Sequence, residues 1–214
     1  DKEELDAALA VMGSQKYEQE FECSFIGNIQ GSIYGDLLAT LDDKKQITRV
    51  PIDPAYPVNT AWDLGYNDQT AIIFFQQIGH NIHIVDYYEN KNEAFPHYAQ
   101  VLKEKDYIIE HNYGPHDLDQ TEFGTGKTRR ETAYQMGLRF RVVPRMAIED
   151  GIHAVKMVLP RCFIDVDNCG PLVNALRHYH RKFSDKERVY KIKPVHDWSS
   201  HAADAIRTLA TGLN

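Results

Sequence analysis

The sequence predicts an α/β fold on a mixed β-sheet, and three observations carry that expectation. Three consecutive strand-like runs, VNTAWDLG from residue 58, TAIIFFQQIG and NIHIVDYYEN, are joined only by YNDQ and GH, the pattern of an antiparallel β-meander. Behind them, helical and strand-like patterns alternate to the end of the chain. Ahead of them, the three prolines of QITRVPIDPAYPV mark an extended boundary, dividing residues 1–57, an N-terminal helix and linker region, from 58–214.

Residues 1–16 read as a short amphipathic helix, and EFECSFIGNIQGSIYGDLLATL as an apolar, Gly-punctuated connection ending in a helix. After the meander, AFPHYAQVLKEK is a helix and a short strand ends near GPHD. A Gly-rich turn then leads into a helix over about 128–136, where Thr128 and Glu131 have capping-box spacing. The strand LRFRVVP, the helix EDGIHAVKMVLP, the strand CFID, the helix GPLVNALRHYHRKF and a last helix from near Trp198 complete the series. Three antiparallel strands followed by this alternation is the order of a ribonuclease H-like mixed β-sheet flanked by helices; doubly wound nucleotide folds begin instead with a parallel βαβ unit.

A length of 214 residues suits one sizeable α/β domain with an appendage. No apolar run approaches membrane length and DKEELDAALA is not a signal peptide, so a cytosolic, membrane-free protein is expected. Cys23, Cys162 and Cys169 lack the spacing of a zinc site and read as reduced structural thiols. The formal net charge of −7 argues against a protein coated by nucleic acid over its whole surface. Its distribution is uneven: residues 1–60 hold eleven acids and five Lys/Arg, whereas 125–163 hold eight Lys/Arg and three acids. That suits a bounded polyanion site, and equally a solvated helix face with an arginine-protected strand edge.

The segment GTGKT resembles an ATP-binding phosphate loop, but the position that needs the first glycine is Thr121, and the preceding HDLDQTEF is polar rather than a buried strand. A Gly-rich turn into a helix accounts for it. Three carboxylates carry more chemistry. Asp63 sits within the first meander strand among apolar residues, where a buried acid needs a cation or donors. Asp117 ends the GPHD strand, and Asp204 lies in the last helix one turn after His201 on the same face, with Asp197 alongside and Trp198, Ala202, Ile206 and Leu209 available for burial. Converging across one sheet, three acids hold two divalent ions roughly 4 Å apart for phosphodiester hydrolysis, and all-oxygen ligands favour Mg²⁺ or Mn²⁺. Taken singly, Asp117 is also a strand-end cap, Asp204 a helix-surface acid and Asp63 a hydrogen-bonded buried acid.

TAWDLGYNDQTA, GPHDLDQTEFGTGKTRRETAYQMGL, EDGIHAVKMVLPRCFID and HDWSSHAADAIRTLA together resemble the nuclease part of the large terminase subunit of tailed bacteriophages, in that family's order and approximate spacing. FECSFIGNIQGSIYGDLL and RVPIDPAYPVNT resemble the tail of the family's ATPase domain, so the similarity spans roughly residues 17–210. The resemblance implies a ribonuclease H-like endonuclease that cuts concatemeric viral DNA, with Asp63, Asp117 and Asp204 as ligands of two Mg²⁺ or Mn²⁺ ions. It implies that His201 lies near the metals as a ligand, a water-orienting group or a packing residue. Lys127, Arg129, Arg130, Arg139, Arg141 and Arg145 would meet phosphates of double-stranded DNA without reading sequence. It also implies a terminase small subunit, portal protein and procapsid as partners, a monomeric isolated domain, and action in the cytoplasm of the infected host. The departure from the family is the lack of an intact Walker loop. Rival readings are an actin/sugar-kinase-like ATP-binding module using Asp63-Leu64-Gly65 with Thr70, another ribonuclease H-like nuclease such as a resolvase or transposase, and a non-catalytic docking domain.

Overall fold

The computed structural model describes residues 30–65 and 68–213. The N-terminal helix expected over 1–16 and Cys23 lie outside the described residues. The elements are α1 (Gly35–Asp43), β1 (Ile47–Thr48), β2 (Val58–Asp63), β3 (Gln69–Ile78), β4 (Asn81–Lys91), α2 (Phe95–Glu104), β5 (Ile109–Gly114), a 3₁₀ turn (His116–Asp119), α3 (Arg129–Gln135), β6 (Phe140–Val142), α4 (Ile148–Val158), β7 (Cys162–Asp165), α5 (Gly170–His178), β8 (Arg181–Ser184), β9 (Val189–Pro194) and α6 (Ser200–Gly212).

Seven strands form one sheet in the order β1-β7-β4-β3-β2-β5-β6. The β2–β3 and β3–β4 pairs are antiparallel, and the β2–β5, β5–β6, β4–β7 and β1–β7 pairs are parallel. This is the expected ribonuclease H-like mixed sheet. Side-chain alternation divides the core. Ala71, Ile73 and Phe75 of β3 face the layer that contains α1, α4, α5 and α6, while Ile72 and Phe74 face that of α2 and α3. A strand buried on both faces reads as a continuous apolar run, and TAIIFFQ does.

Residues 35–48 precede the expected division at 57/58, yet β1 extends the sheet and Leu38 and Leu41 of α1 are buried in the main core. Two elements differ from the sequence reading. The helix expected over GPLVNALRHYHRKF ends at His178, and Arg181–Ser184 pair instead with Val189–Pro194 in a hairpin. Alternating KFS and VYKIK suit a two-stranded ribbon, and this pairing prevails although Tyr179 and Phe183 continue the helical spacing of Leu176 in the sequence. The strand expected to end at GPHD stops at Gly114, and Asp117 stands in the 3₁₀ turn. The capping box forms as expected: the Glu131 amide donates to Thr128 Oγ1 at 3.1 Å and the Thr128 amide to Glu131 Oε2 at 2.7 Å.

A buried polar chain ties β2 to β5 and β6. Trp62 Nε1 donates to Thr60 Oγ1 (2.6 Å), Thr60 Oγ1 donates to Asn112 Oδ1 (2.7 Å), and Asn112 Nδ2 donates to the Arg139 carbonyl (3.2 Å). The Trp62 ring packs edge-on against Phe140 at 5.2 Å and Tyr98 at 5.9 Å. Where β5 ends, a Cβ on Gly114 would stand 2.3 Å from Leu118 Cδ1 and 2.8 Å from Phe140 Cδ1, both held by packed surroundings. Gly114→Ala should therefore destabilise the chain by about 1–3 kcal/mol, the usual cost of overpacking, measured as a lowered urea midpoint; an unchanged midpoint would show that Leu118 can retreat.

Candidate active site

The parallel pairing of β2 and β5 brings the C-terminal ends of both strands to one edge, the place where open α/β sheets form ligand crevices. Asp63 is the last residue of β2, and Asp117 follows β5 by three residues. α6 packs across β2 with Ala202, Ala203, Ala205, Ile206 and Leu209 buried. This face sets Asp204 and His201 above the end of β2. A cleft of about 410 Å³ is lined by Asp63, Asp117, Asp204, Gln120, Arg207 and Thr208, among others. The three expected acids thus share one cleft, although 54 residues separate Asp63 from Asp117 and 87 separate Asp117 from Asp204.

Each acid is engaged by a basic side chain. His201 Nδ1 lies 3.1 Å from Asp63 Oδ2, Arg207 Nη2 donates to Asp204 Oδ1, and Arg129 Nη1 lies 3.6 Å from Asp117 Oδ2. So held, the acids are spread around the cleft, and among the described residues no three acid, imidazole or thiol groups are gathered to the spacing of a single ion. The other oxygen of Asp117, Oδ1, is buried with no hydrogen-bond partner. Such an atom is costly unless a cation or donor meets it. With oxygen donors on three elements, the residues fit a hard divalent ion such as Mg²⁺ or Mn²⁺.

Burial and mutual repulsion set the protonation of the site. Burial is the main cause that raises Asp63, outweighing the hydrogen bond from His201, and Asp117 adds repulsion. Asp204 is pushed up to about 6 by burial, with Asp63 adding to the rise and Arg207 opposing it. His201 is raised chiefly by its bond to Asp63. Its Nε2 is 2.9 Å from Asp68 Oδ1, so both ring nitrogens face carboxylates, the setting of an imidazolium that donates twice.

Asp68, which also lies 3.5 Å from His196 Nε2, and Arg207 are site residues that the sequence reading missed. Arg207 was legible as the residue three after Asp204 on the same helical face. Asp68 had no signal, because it stands in the connection between two meander strands. Asp197, expected on the polar face with His201 and Asp204, instead accepts from the Ser199 amide (2.9 Å) and hydroxyl (2.6 Å) in the turn that opens α6. Trp198, expected to be buried, is half exposed beside His178. Thr70, the group the kinase-like reading would aim at phosphate, is spent on the β2–β3 turn: its hydroxyl donates to the Gly65 carbonyl (2.8 Å) and accepts from the Gly65 amide (3.2 Å).

Of the six expected basic residues, Arg129 and Arg130 are engaged by acids. Arg129 is shared between Asp117 and Glu122 (3.8 Å), and Arg130 Nε is 2.9 Å from Asp119. Lys127, Arg130 and Arg139 line a depression of about 430 Å³ with Tyr134 and Phe140, where the Arg139 guanidinium lies 5.4 Å from the Tyr134 ring centre. Arg141 and Arg145 are exposed in and beyond β6. The two described cysteines, Cys162 and Cys169, are buried free thiols, and burial raises Cys162 to about 12, away from metal-binding thiolate chemistry.

No family model matches the chain. The terminase large subunit of Escherichia phage T5 is 23% identical over 217 residues, covering 97% of this chain and 47% of that protein. The chain therefore spans about half the length of the curated relative it matches. Among solved structures, the P22 large terminase nuclease domain superposes with a TM-score of 0.58 at 17% identity, covering 79% of this chain and 88% of that one. The large terminase nuclease of thermophilic phage G20c with bound magnesium gives 0.58 at 10% identity, over 85% and 97%. The chain is thus similar to the terminase large subunit of Escherichia phage T5 and has the fold of large terminase nuclease domains.

Proposed function

We propose that this chain is the endonuclease part of a viral DNA-packaging terminase, hydrolysing phosphodiesters of concatemeric double-stranded DNA with divalent metal ions. The observation that carries the reading is the meeting of Asp63, Asp117 and Asp204 in one cleft, with a buried, unpartnered Asp117 oxygen. The solved G20c nuclease with magnesium supports the metal class by analogy. Two bound ions would supply an activated water and stabilise the leaving oxygen. Asp63, whose charge interacts with those of both other acids, is the shared ligand in this reading, and Asp117 and Asp204 each complete one side. His201 orients Asp63 through Nδ1, and Asp68 fixes the imidazole from its other side. Lys127, Arg129, Arg130, Arg139, Arg141 and Arg145 hold phosphates without reading bases. α1 and β1 belong to the nuclease fold in this reading, so the division from a translocating ATPase domain falls before residue 35 rather than at 57/58, and the small subunit, portal and procapsid are the partners in the host cytoplasm.

The experiment that tests this is cleavage of supercoiled plasmid in Mn²⁺, Mg²⁺ or EDTA. Metal-dependent nicking should fall on the order of 100-fold or more in Asp63→Asn and in Asp204→Asn, since even residues behind metal ligands are worth 10–100-fold. Cleavage that persists in both variants refutes the assignment. In DNA binding, Lys127→Ala with Arg130→Ala should lower the slope of log affinity against log salt by roughly two, one for each phosphate no longer neutralised. An unchanged slope would remove these two residues from the interface.

The acids also predict a pH dependence in EDTA. Asp204 has a folded value of about 6 against an ordinary 3.8, so its contribution to stability is fully present below about pH 4 and is lost as pH rises through about 6. Denaturant midpoints of the metal-free chain should fall across that window and flatten in Asp204→Asn. Saturating Mn²⁺ should raise the midpoint more at pH 7.5 than at pH 5.5, because binding must displace protons. Equal stabilisation at both pH values would mean that the ion does not bind through these carboxylates.

A further inference from the structure

The loop from Thr121 to Thr128 presents a side chain that the fold does not use. Phe123 is fully exposed, at 107% of its reference area. The loop is closed by a bridge between Thr121 and Thr128 and by backbone bonds: the Glu122 amide donates to the Lys127 carbonyl (2.9 Å), and the Gly126 amide to the Glu122 carbonyl (2.9 Å). None of these involves the Phe123 ring. A Cβ on Gly124 or Gly126 would meet nothing within 4 Å, so the tip stands clear of the body. Exposed apolar residues are common on any surface. Here, however, several other exposed rings have neighbours: Phe183 lies 5.2 Å from Tyr190, Trp198 lies 5.2 Å from His178, and Tyr134 lies beside Arg139. Among the described residues, no ring or cation packs against Phe123.

The place of the loop supplies the rest. Gln120, three residues before Phe123, lines the acidic cleft. Arg129 lies within 3.6 Å of Asp117 and 3.8 Å of Glu122, which links the residue next to Phe123 to a cleft acid through one guanidinium. Lys127, on the returning side of the loop, shares a depression with Arg130 and Arg139. A hydrogen-bonded turn thus carries an unpartnered aromatic ring in a segment flanked along the chain by a residue of the carboxylate cleft, Gln120, and by the basic Lys127.

Resting on the nuclease reading above, we propose that Phe123 is a stacking wedge for DNA: its ring packs on a base at an opened step of the duplex bound over the cleft, with Lys127 and Arg130 on neighbouring phosphates. An aromatic ring gains by stacking on any base, because every base has a π-face, so the interaction positions the strand without selecting sequence. Unstacking one step is the cost, and apolar wedges inserted into duplexes bear it in return for a kinked, better-fitting substrate.

The test uses the chain with Asp63→Asn in Mn²⁺, so that DNA is bound and not cut, and a fluorescein-labelled duplex read by anisotropy. Phe123→Ala should weaken binding roughly tenfold while leaving the salt slope unchanged, because a ring carries no charge. Phe123→Trp should restore affinity, and its added indole emission should be quenched by DNA at least about twofold, as stacking on bases requires. The background emission of Trp62 and Trp198 is subtracted with the unsubstituted chain. Affinity within about twofold in Phe123→Ala, or weakening without quenching in Phe123→Trp, overturns the wedge and leaves the nuclease reading standing. Failure of the unsubstituted chain both to bind duplex and to cut plasmid overturns the nuclease reading and the wedge with it.

Discussion

The site depends on one constraint, a carboxylate at the end of a strand that is otherwise buried. Val58 to Trp62 are all buried, and Asp63 continues the same strand with a side chain only 20% exposed. An acid there must find a counter-charge or keep its proton. The fold meets that demand from the far end of the sequence, by laying α6 across β2 so that His201 reaches Asp63 over a separation of 138 residues. Docking of the last helix is therefore specified by apolar burial, through Ala202, Ile206 and Leu209, and by the charge that it must satisfy.

The second acid is positioned by a different device. Asp117 does not lie on a strand; it stands in a turn whose location depends on the spacing of β2 and β5. The Trp62–Thr60–Asn112 chain fixes that spacing from within, and the bare backbone of Gly114 lets Leu118 and Phe140 close beneath the turn. A fully satisfied buried network of this kind specifies one register, because a slipped pairing would strand its hydroxyl and amide groups. Core packing of β2 and geometry of the cleft are thus set by the same residues.

Much of this was legible from short-range pattern. Strand-like apolar runs joined by the short connections YNDQ and GH gave the meander, apolar helical stripes gave α1, α2, α4 and α6, and Thr128 with Glu131 gave the start of α3. Asp63 and Asp204 were legible because acids among buried neighbours are costly and so need a reason. What was not legible is pairing between distant segments. The window 125–163 counts as strongly basic, but Arg129 and Arg130 fold back onto Asp117, Asp119 and Glu122 of the preceding turn, which offsets part of the charge that a linear count suggests. Asp68 is silent in sequence for the same reason, since only the docking of α6 brings His201 to it. The β8–β9 hairpin was missed because a four-residue strand after a helix carries too short an alternation to be distinguished from the helix's own last turn.

The GTGKT segment shows how the same residues acquire a different physical use. A phosphate loop works by turning successive backbone amides toward a common centre that an anion fills. Here the amides of Thr125 and Gly126 both point to the carbonyl of Glu122, at 3.3 and 2.9 Å, and the Lys127 amide points to Thr125 Oγ1 at 3.3 Å. The donors are consumed in closing the turn, and Gly126, with φ of +66°, supplies the left-handed residue that such closure needs. An amide that closes its own turn has no remaining hydrogen for a phosphate, so Thr125, Gly126 and Lys127 cannot supply a cradle of amides. In the proposed reading, recognition by this loop works instead through side chains, by the charge of Lys127 and the stacking of Phe123.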